Sequence, residues 1–332
     1  MCVICDNTFD SNTTVLQICN KVVEIPFLPN LILLDLTCCK YVTHIPHLPE
    51  LIILRMTGTN ISVLPCMPKL EMLICDTSPI TKLPAFPSLR NLTCYNTKIR
   101  SIPIMPKLEN LYCGNTLITK IPVLPKLKVL HCSDCEITNI PLLNNLTVLH
   151  CCRTLIKSIP YLPKLESLYC AGTAIILQPS DTLLNLSIDS SDIRSIPIYK
   201  NLERLSCSNT CIEKIPILPN LIVLFCKGTK IKQLPYLPKL KYLDCSCTNV
   251  LEIPEMPLYQ LYCENTPIIK TPSNKIKNLN TTGCTWLSPT NDALNKLIIL
   301  QNLFKKNIHK RISIIYKNLN SYKDIKYIIS LY

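Results

Sequence analysis

The chain has 332 residues, of which 48% are apolar and only 17% charged, and its formal net charge is +13. Glycine is scarce at 5 and proline plentiful at 27, which argues against glycine-cradled nucleotide sites and against flexible glycine linkers. No run approaches the ~18 apolar residues of a membrane span, and the start Met1-Cys-Val-Ile-Cys5-Asp6 lacks the basic and apolar regions of a secretory signal. A protein without a membrane span, in an intracellular and reducing compartment, is expected.

Residues 1–30 read as a degenerate repeat or cap. Cys2-Val-Ile-Cys5 is a single CxxC with no second pair and no histidines at ligand spacing, so no metal site is expected there. From Leu31 onward the sequence becomes periodic. The clearest unit runs from Leu108 through Leu111, Cys113, Thr116, Ile118, Ile121-Pro122, Leu124-Pro125 and Lys126, and Leu127 restarts it. The opening leucine recurs at Leu51, Leu70, Leu89, Leu108, Leu127, Leu146 and Leu165, each 19 residues after the last. An 18-residue unit then leads to Leu183, Leu202, Leu221, Leu240 and Leu258. Leu31 precedes the set and Ile276 opens a worn last copy, so about fourteen repeats occupy residues 31–289.

Each unit can be read physically. Leu111 and Cys113 are two apart, so on an extended segment of three or four residues both point inward, while Asn110 and Tyr112 point outward. Connections of equal length return every strand in the same direction, which predicts a parallel ladder. Cysteine fills the second inward position in ten units, and Leu36, Met56 and Ile188 replace it in others. Those substitutes show that the column needs a modest hydrophobe, which a thiol can be, and not a metal ligand. The column of Thr97, Thr116, Thr154, Thr173, Thr210, Thr229, Thr248 and Thr266 places hydroxyls where a turn leaves backbone groups unpaired, and is read as a stacked hydroxyl ladder. The Pro-x-x-Pro pairs, from Pro26/Pro29 to Pro254/Pro257, predict an extended, polyproline-like return limb rather than a helix or a set of SH3 ligands.

The pattern LxxLxCxxTxIxx[I/L]Px[L/M]P resembles the leucine-rich-repeat family, and its Pro-x-Leu-Pro ending is similar to the short repeats of the bacterial effector class. It also looks like the cysteine-bearing leucine-rich-repeat proteins of giant amoeba-infecting DNA viruses, in the repeats, in the Gly283-Cys-Thr-Trp-Leu287 junction and in the Lys296-Leu-Ile-Ile-Leu-Gln301 stretch. The resemblance implies a leucine-rich-repeat solenoid: a curved parallel β-ladder, a proline-rich extended convex side and a C-terminal helical cap. It also implies a viral protein acting inside a host cell or a virion.

In that fold a partner meets the outward strand residues. Four consecutive units place Tyr112, His131, His150 and Tyr169 side by side, flanked by Asn110, Val129, Val148 and Ser167. Rings with polar tips over a small apolar strip suit a protein partner. His131 and His150 lack a third ligand because Cys132 and Cys151 face inward, so no metal and no cofactor are expected. Neither paired carboxylates, a Ser-His-Asp set nor a phosphate loop stands out, and an enzyme is not expected.

After Trp286 the period ends. Residues 290–332 form a basic segment; from Asn291 it holds eight Lys/Arg against two Asp. Leu294, Leu297, Ile298, Gln301, Phe304, Ile308, Ile312 and Ile315 recur at helical spacing, which predicts a helix capping the last repeat. Leu300, Gln301, Phe304, Lys305 and Lys310 also resemble an IQ motif, the target of calmodulin-like proteins, though Lys306 stands where glycine is usual. No nucleic-acid interface is expected. The functional expectation is a non-enzymatic protein-interaction scaffold. An adaptor delivering targets to an enzyme complex such as a ubiquitin ligase, or a structural component without a discrete ligand, remain as alternatives.

Overall fold

The structure, a computed structural model, describes residues 4–6, 8–269, 271–272 and 276–284. Cys2, the expected cap at 290–332 and its candidate contacts Leu300, Gln301, Phe304, Lys305 and Lys310 lie outside the described residues. Within them the chain forms fifteen three-residue strands and no helix, joined into one parallel sheet whose strand order is the sequence order. Strand β1 (Val15–Gln17) lies in the N-terminal flank and β15 (Asn278–Asn280) in the worn last copy. Between them each repeat contributes one strand, as the spacing of leucines predicts. β5 (Asn91–Thr93), β6 (Asn110–Tyr112), β7 (Val129–His131), β8 (Val148–His150), β9 (Ser167–Tyr169) and β10 (Asn185–Ser187) carry the candidate site.

The register is constant. The middle leucine of every strand pairs with the middle leucine of the next, so Leu111 sits against Leu130, Leu130 against Leu149 and Leu149 against Leu168. A one-residue slip would turn all these leucines outward, which is why the register is so strongly specified. The lateral ladder continues past the strands. The Cys113 amide donates to the His131 carbonyl and the Asn115 amide to the Ser133 carbonyl, each at 2.8–2.9 Å, and the same pair of bonds recurs from turn to turn. Cys75, Cys94, Cys113, Cys132 and Cys151 are completely buried behind this ladder, and burial pushes their thiols up in pKa. They pack as small hydrophobes, and burial disfavours their thiolate form.

The hydroxyl column bonds backbone groups at the turn, as its place in the repeat predicts. Each hydroxyl donates to the carbonyl three residues earlier in its own turn: Thr97 to Cys94, Thr116 to Cys113 and Thr154 to Cys151, all at 2.8 Å. The residue just before this column takes a left-handed conformation in turn after turn. Gly58, Gly172, Gly228 and Gly283 serve in four turns, and Asn96, Asn115, Asn209 and Asn265 in four others. Glycine and asparagine tolerate that region best, whereas Thr77, with φ of 54°, is β-branched there.

The return limb is extended and keeps a period of three. Ile118, Ile121, Leu124 and Leu127 are all buried while the residues between them face outward, as three residues per turn of a polyproline helix require. Its end is a tight turn: the Leu127 amide donates to the Leu124 carbonyl at 3.1 Å, with Pro125 at the first central position, where a fixed φ suits it. In the 18-residue unit from Leu165 to Leu183 one residue is missing from this limb. The next turn carries Tyr199, fully buried, where most other turns have leucine or methionine and one has Phe86, and its hydroxyl reaches back to the Gln178 carbonyl at 3.1 Å.

Two substitutions test this account. Thr154→Val keeps the shape but leaves the buried Cys151 carbonyl without its donor, and is expected to cost about 1–2 kcal/mol. Thr77→Gly removes a branched side chain from a left-handed position and is expected to gain roughly 0.5–1 kcal/mol. Urea denaturation followed by circular dichroism measures both; equal midpoints for wild type and both variants would contradict it.

Candidate functional site

The outward residues of the strands form columns across the sheet, because each strand is stacked on its neighbour in constant register. Tyr112, His131, His150 and Tyr169 end β6 to β9 and fall in one column, as their register pairs show. The rings pack in a row. His150 and Tyr169 stack with centroids 4.1 Å apart at an interplanar angle of 11°. His131 and His150 stack at 4.8 Å and 29°, and Tyr112 lies tilted 6.4 Å from His131. These distances suit stacked and tilted aromatic pairs.

A fifth ring joins the row. Tyr95 follows Cys94 and so lies one column further along the strand direction, yet its ring makes an edge contact with His131 at 5.1 Å and lies 6.2 Å from Tyr112. Gly114 makes this possible. A Cβ at that position would lie 2.8 Å from Tyr95 Cε1, so no other residue leaves room for the ring without a shift. Reading only the column that precedes the inward cysteines misses Tyr95. The signal for it was the lone glycine at 114, one strand over in the same outer column.

The neighbours of the row behave as a polar frame. Asn110 Nδ2 donates to Asn91 Oδ1 at 2.6 Å, tying β6 to β5, and Asn185 Nδ2 donates to Ser167 Oγ at 2.9 Å. Val129 and Val148 are half-buried between these amide pairs and supply the apolar strip. On the other side Ser133 Oγ accepts the Cys152 amide at 3.2 Å, and Asp76 accepts the Tyr95 amide at 2.7 Å. Further out, Arg153 grips Asp134 with two bonds at 2.5 and 2.7 Å. That pair is largely exposed and holds the rim in place more than it stabilises the fold.

Burial holds both imidazoles below their ordinary pKa; the Asp134 carboxylate offsets part of this for His131, and His131 itself adds to the lowering at His150. His131 Nδ1 is buried without a side-chain hydrogen-bond partner, and burial, only partly offset by its own backbone carbonyl and by Asp134, favours the uncharged ring. The two rings are stacked and do not converge on a common point, and among the described residues no group of three His, Cys, Asp or Glu could hold a metal ion. The surface offers π edges, phenol and imidazole tips and amides, which recognise a surface by contact and hydrogen bonding. A smaller aromatic group, Tyr242 and Tyr259 at 5.9 Å with Lys277 over the Tyr259 ring, lies toward the C-terminal end and was not foreseen from the sequence.

Comparison with known proteins agrees with the fold. The family profile described as Leucine Rich repeats (2 copies) matches residues 87–126, which include β5, β6 and Tyr95. No curated protein matches the chain. Among solved structures the chain is similar to YopM from Yersinia enterocolitica WA-314, with a TM-score of 0.71, 26% identity and coverage of 81% of this chain and 61% of that one. It thus spans less than two thirds of that chain. It is also similar to YopM of Yersinia pestis, a leucine-rich effector protein, at a TM-score of 0.67 and 25% identity over 79% of this chain and 80% of that one. The functional domain of InlJ from Listeria monocytogenes, which includes a cysteine ladder, matches with a TM-score of 0.54 and 25% identity over 68% of this chain and 52% of that one. The fold is therefore that of a leucine-rich-repeat protein, with structural similarity to effectors of the YopM type. Among the described residues no helix is long and apolar enough to cross a membrane.

The depressed imidazoles give a pH dependence of defined sign. Between their folded values and the ordinary 6.5, the unfolded chain takes up protons that the folded chain refuses. Their contribution is fully present above 6.5 and is lost as pH falls below it. The melting temperature is expected to drop further between pH 7.5 and 5.5 for wild type than for His131→Gln/His150→Gln. In the same assay Gly114→Ala should displace the Tyr95 ring, changing the ring-current shift of the His131 protons by NMR; an unchanged shift would show that the close approach is not required.

Proposed function

We propose that this chain is a non-enzymatic protein-interaction scaffold whose partner docks on the concave row Tyr95, Tyr112, His131, His150 and Tyr169. The observation that supports the reading is the row itself. Five rings collect on five neighbouring turns; they are framed by side-chain amides and by the Arg153–Asp134 pair. Rigid aromatic rings with polar tips bury much area at small entropic cost, which is why they dominate binding energy at protein interfaces. The stacking holds each ring in position before the partner arrives, so little order has to be imposed on binding.

The likeness to a leucine-rich effector protein is consistent with this reading, and with an intracellular partner in a host. The viral affiliation and the compartment are part of the proposal. Neutral imidazoles at pH 7 make the surface uncharged at its centre, so a partner with an apolar or aromatic anchor fits it better than one with a cluster of charge.

The experiment is affinity capture from host-cell lysate with quantitative mass spectrometry. Wild type is compared with Tyr112→Ala/His131→Ala/His150→Ala/Tyr169→Ala, both checked for folding by circular dichroism. A prey bound by wild type and reduced at least tenfold with the variant supports the concave site; removal of several hot-spot rings costs this much or more. Prey retained equally by both places the interface elsewhere, and absence of any enriched prey removes the scaffold reading.

A further inference from the structure

The outer limb carries a second organised surface. Its three-residue period gives each turn one inward column, one proline column and one fully outward column. In the turn that contains Ile118 to Leu127, the outward positions are Lys120, Val123 and Lys126, all exposed. The central position of this trio, the residue after the first proline, is apolar in turn after turn. Ile104, Val123, Leu142 and Tyr161 occupy four consecutive turns, and Ile198, Ile217 and Tyr236 three more. None of them is covered: their exposures run from 55% at Leu142 to 79% at Tyr161. The shortened 18-residue turn separates the two groups.

The flanks of this ridge are as regular as its crest. Three residues before and three after each crest residue stand Ser101 and Lys107, Lys120 and Lys126, Asn139 and Asn145, Ser158 and Lys164, Ser195 and Asn201, Lys214 and Asn220, and Gln233 and Lys239. The flanks of these seven turns hold six lysines and no carboxylate. Beside the second group a depression of about 660 Å³ is lined by Arg194, Lys214 and Lys230, with Glu213 as its acid. Glu136 and Asp192 stand further back in their turns, before the flanking positions Asn139 and Ser195.

We infer that this ridge is a peripheral membrane-binding surface for an anionic bilayer. Aliphatic and tyrosine side chains that stand singly above a polar surface bury little against a rigid protein face, but each can insert among lipid headgroups. Lysines beside them keep their ammonium groups at headgroup level and are attracted to acidic lipid. The surface is a ridge on the convex side and not a groove, so it suits a soft, flat and negatively charged partner. A flat bilayer meets a convex arc over a few adjacent turns, and the four-turn group Ile104 to Tyr161 is the longer contact. Such binding would leave the concave row facing away from the membrane and open to its own partner.

The test is co-sedimentation of the full chain with vesicles of phosphatidylcholine alone and of phosphatidylcholine with 30% phosphatidylserine, at low and high salt. Wild type is expected to bind the acidic vesicles at least tenfold tighter than the neutral ones and to lose most of this at high salt. Ile104→Ser/Val123→Ser/Leu142→Ser/Tyr161→Ser changes no charge and no buried side chain, and should lower binding to acidic vesicles at least tenfold. Lys107→Gln/Lys120→Gln/Lys126→Gln should do the same while retaining the crest. Failure of wild type to bind acidic vesicles overturns the inference. So does retention of full binding by the serine variant, which would assign any lipid contact to basic residues elsewhere, and so does a ridge-dependent protein prey without vesicle binding.

Discussion

Everything in this molecule depends on lateral stacking of turns that cannot fold alone. One turn offers a strip of leucine, isoleucine and cysteine too narrow to offset the entropy of ordering eighteen or nineteen residues. Against a neighbour in the same register, the strip becomes part of a continuous core, and the main-chain amides of one turn find carbonyls on the next from the strand through to the left-handed corner. Within the turn the corner is closed by a hydroxyl on the carbonyl three residues back. The period is therefore a physical requirement: a turn of different length has to restore the stack by other means, as Tyr199 does where one residue is missing.

Constant register has a consequence for function. It converts a position in the repeat into a column on the surface, and a column places chemically similar side chains one strand spacing apart, ~4.8 Å. That spacing is close to the stacking distance of aromatic rings, so a tyrosine or histidine recurring at one position packs into a row, as His131, His150 and Tyr169 do. The same rule on the outer limb lines up an apolar crest between basic flanks. The two surfaces face opposite ways and share only the core, so one chain can carry both without conflict.

Much of this was legible in the residues. The leucine spacing announced the strands, and the replacement of cysteine by Leu36, Met56 and Ile188 announced a hydrophobic column and not a metal site. Tyr112, His131, His150 and Tyr169 could be aligned because period two along a strand and period nineteen along the chain are both readable. Tyr95 could not, since its ring crosses from its own column to reach His131, and only a backbone without a side chain at Gly114 allows it. The hydroxyls were read as partners for backbone groups at the turn, and the structure gives each the carbonyl three residues earlier in its own turn. The limb was read as extended and polyproline-like, but its outward column was not followed from turn to turn, although its period of three was present in Ile118, Ile121, Leu124 and Leu127.

The sequence by itself determined the architecture. Repetition at a fixed interval, with a fixed inward set, permits few arrangements other than a stack of parallel turns. Tertiary structure decided how the rings meet, which hydroxyl bonds which carbonyl, that His131 Nδ1 is buried, and that burial lowers the pKa of both imidazoles. The reason is one of range. Periodicity reports on which face a residue occupies, a property of the local backbone. The contacts a side chain makes once there depend on the size and direction of neighbours one turn away, and those are set only when the turns have stacked.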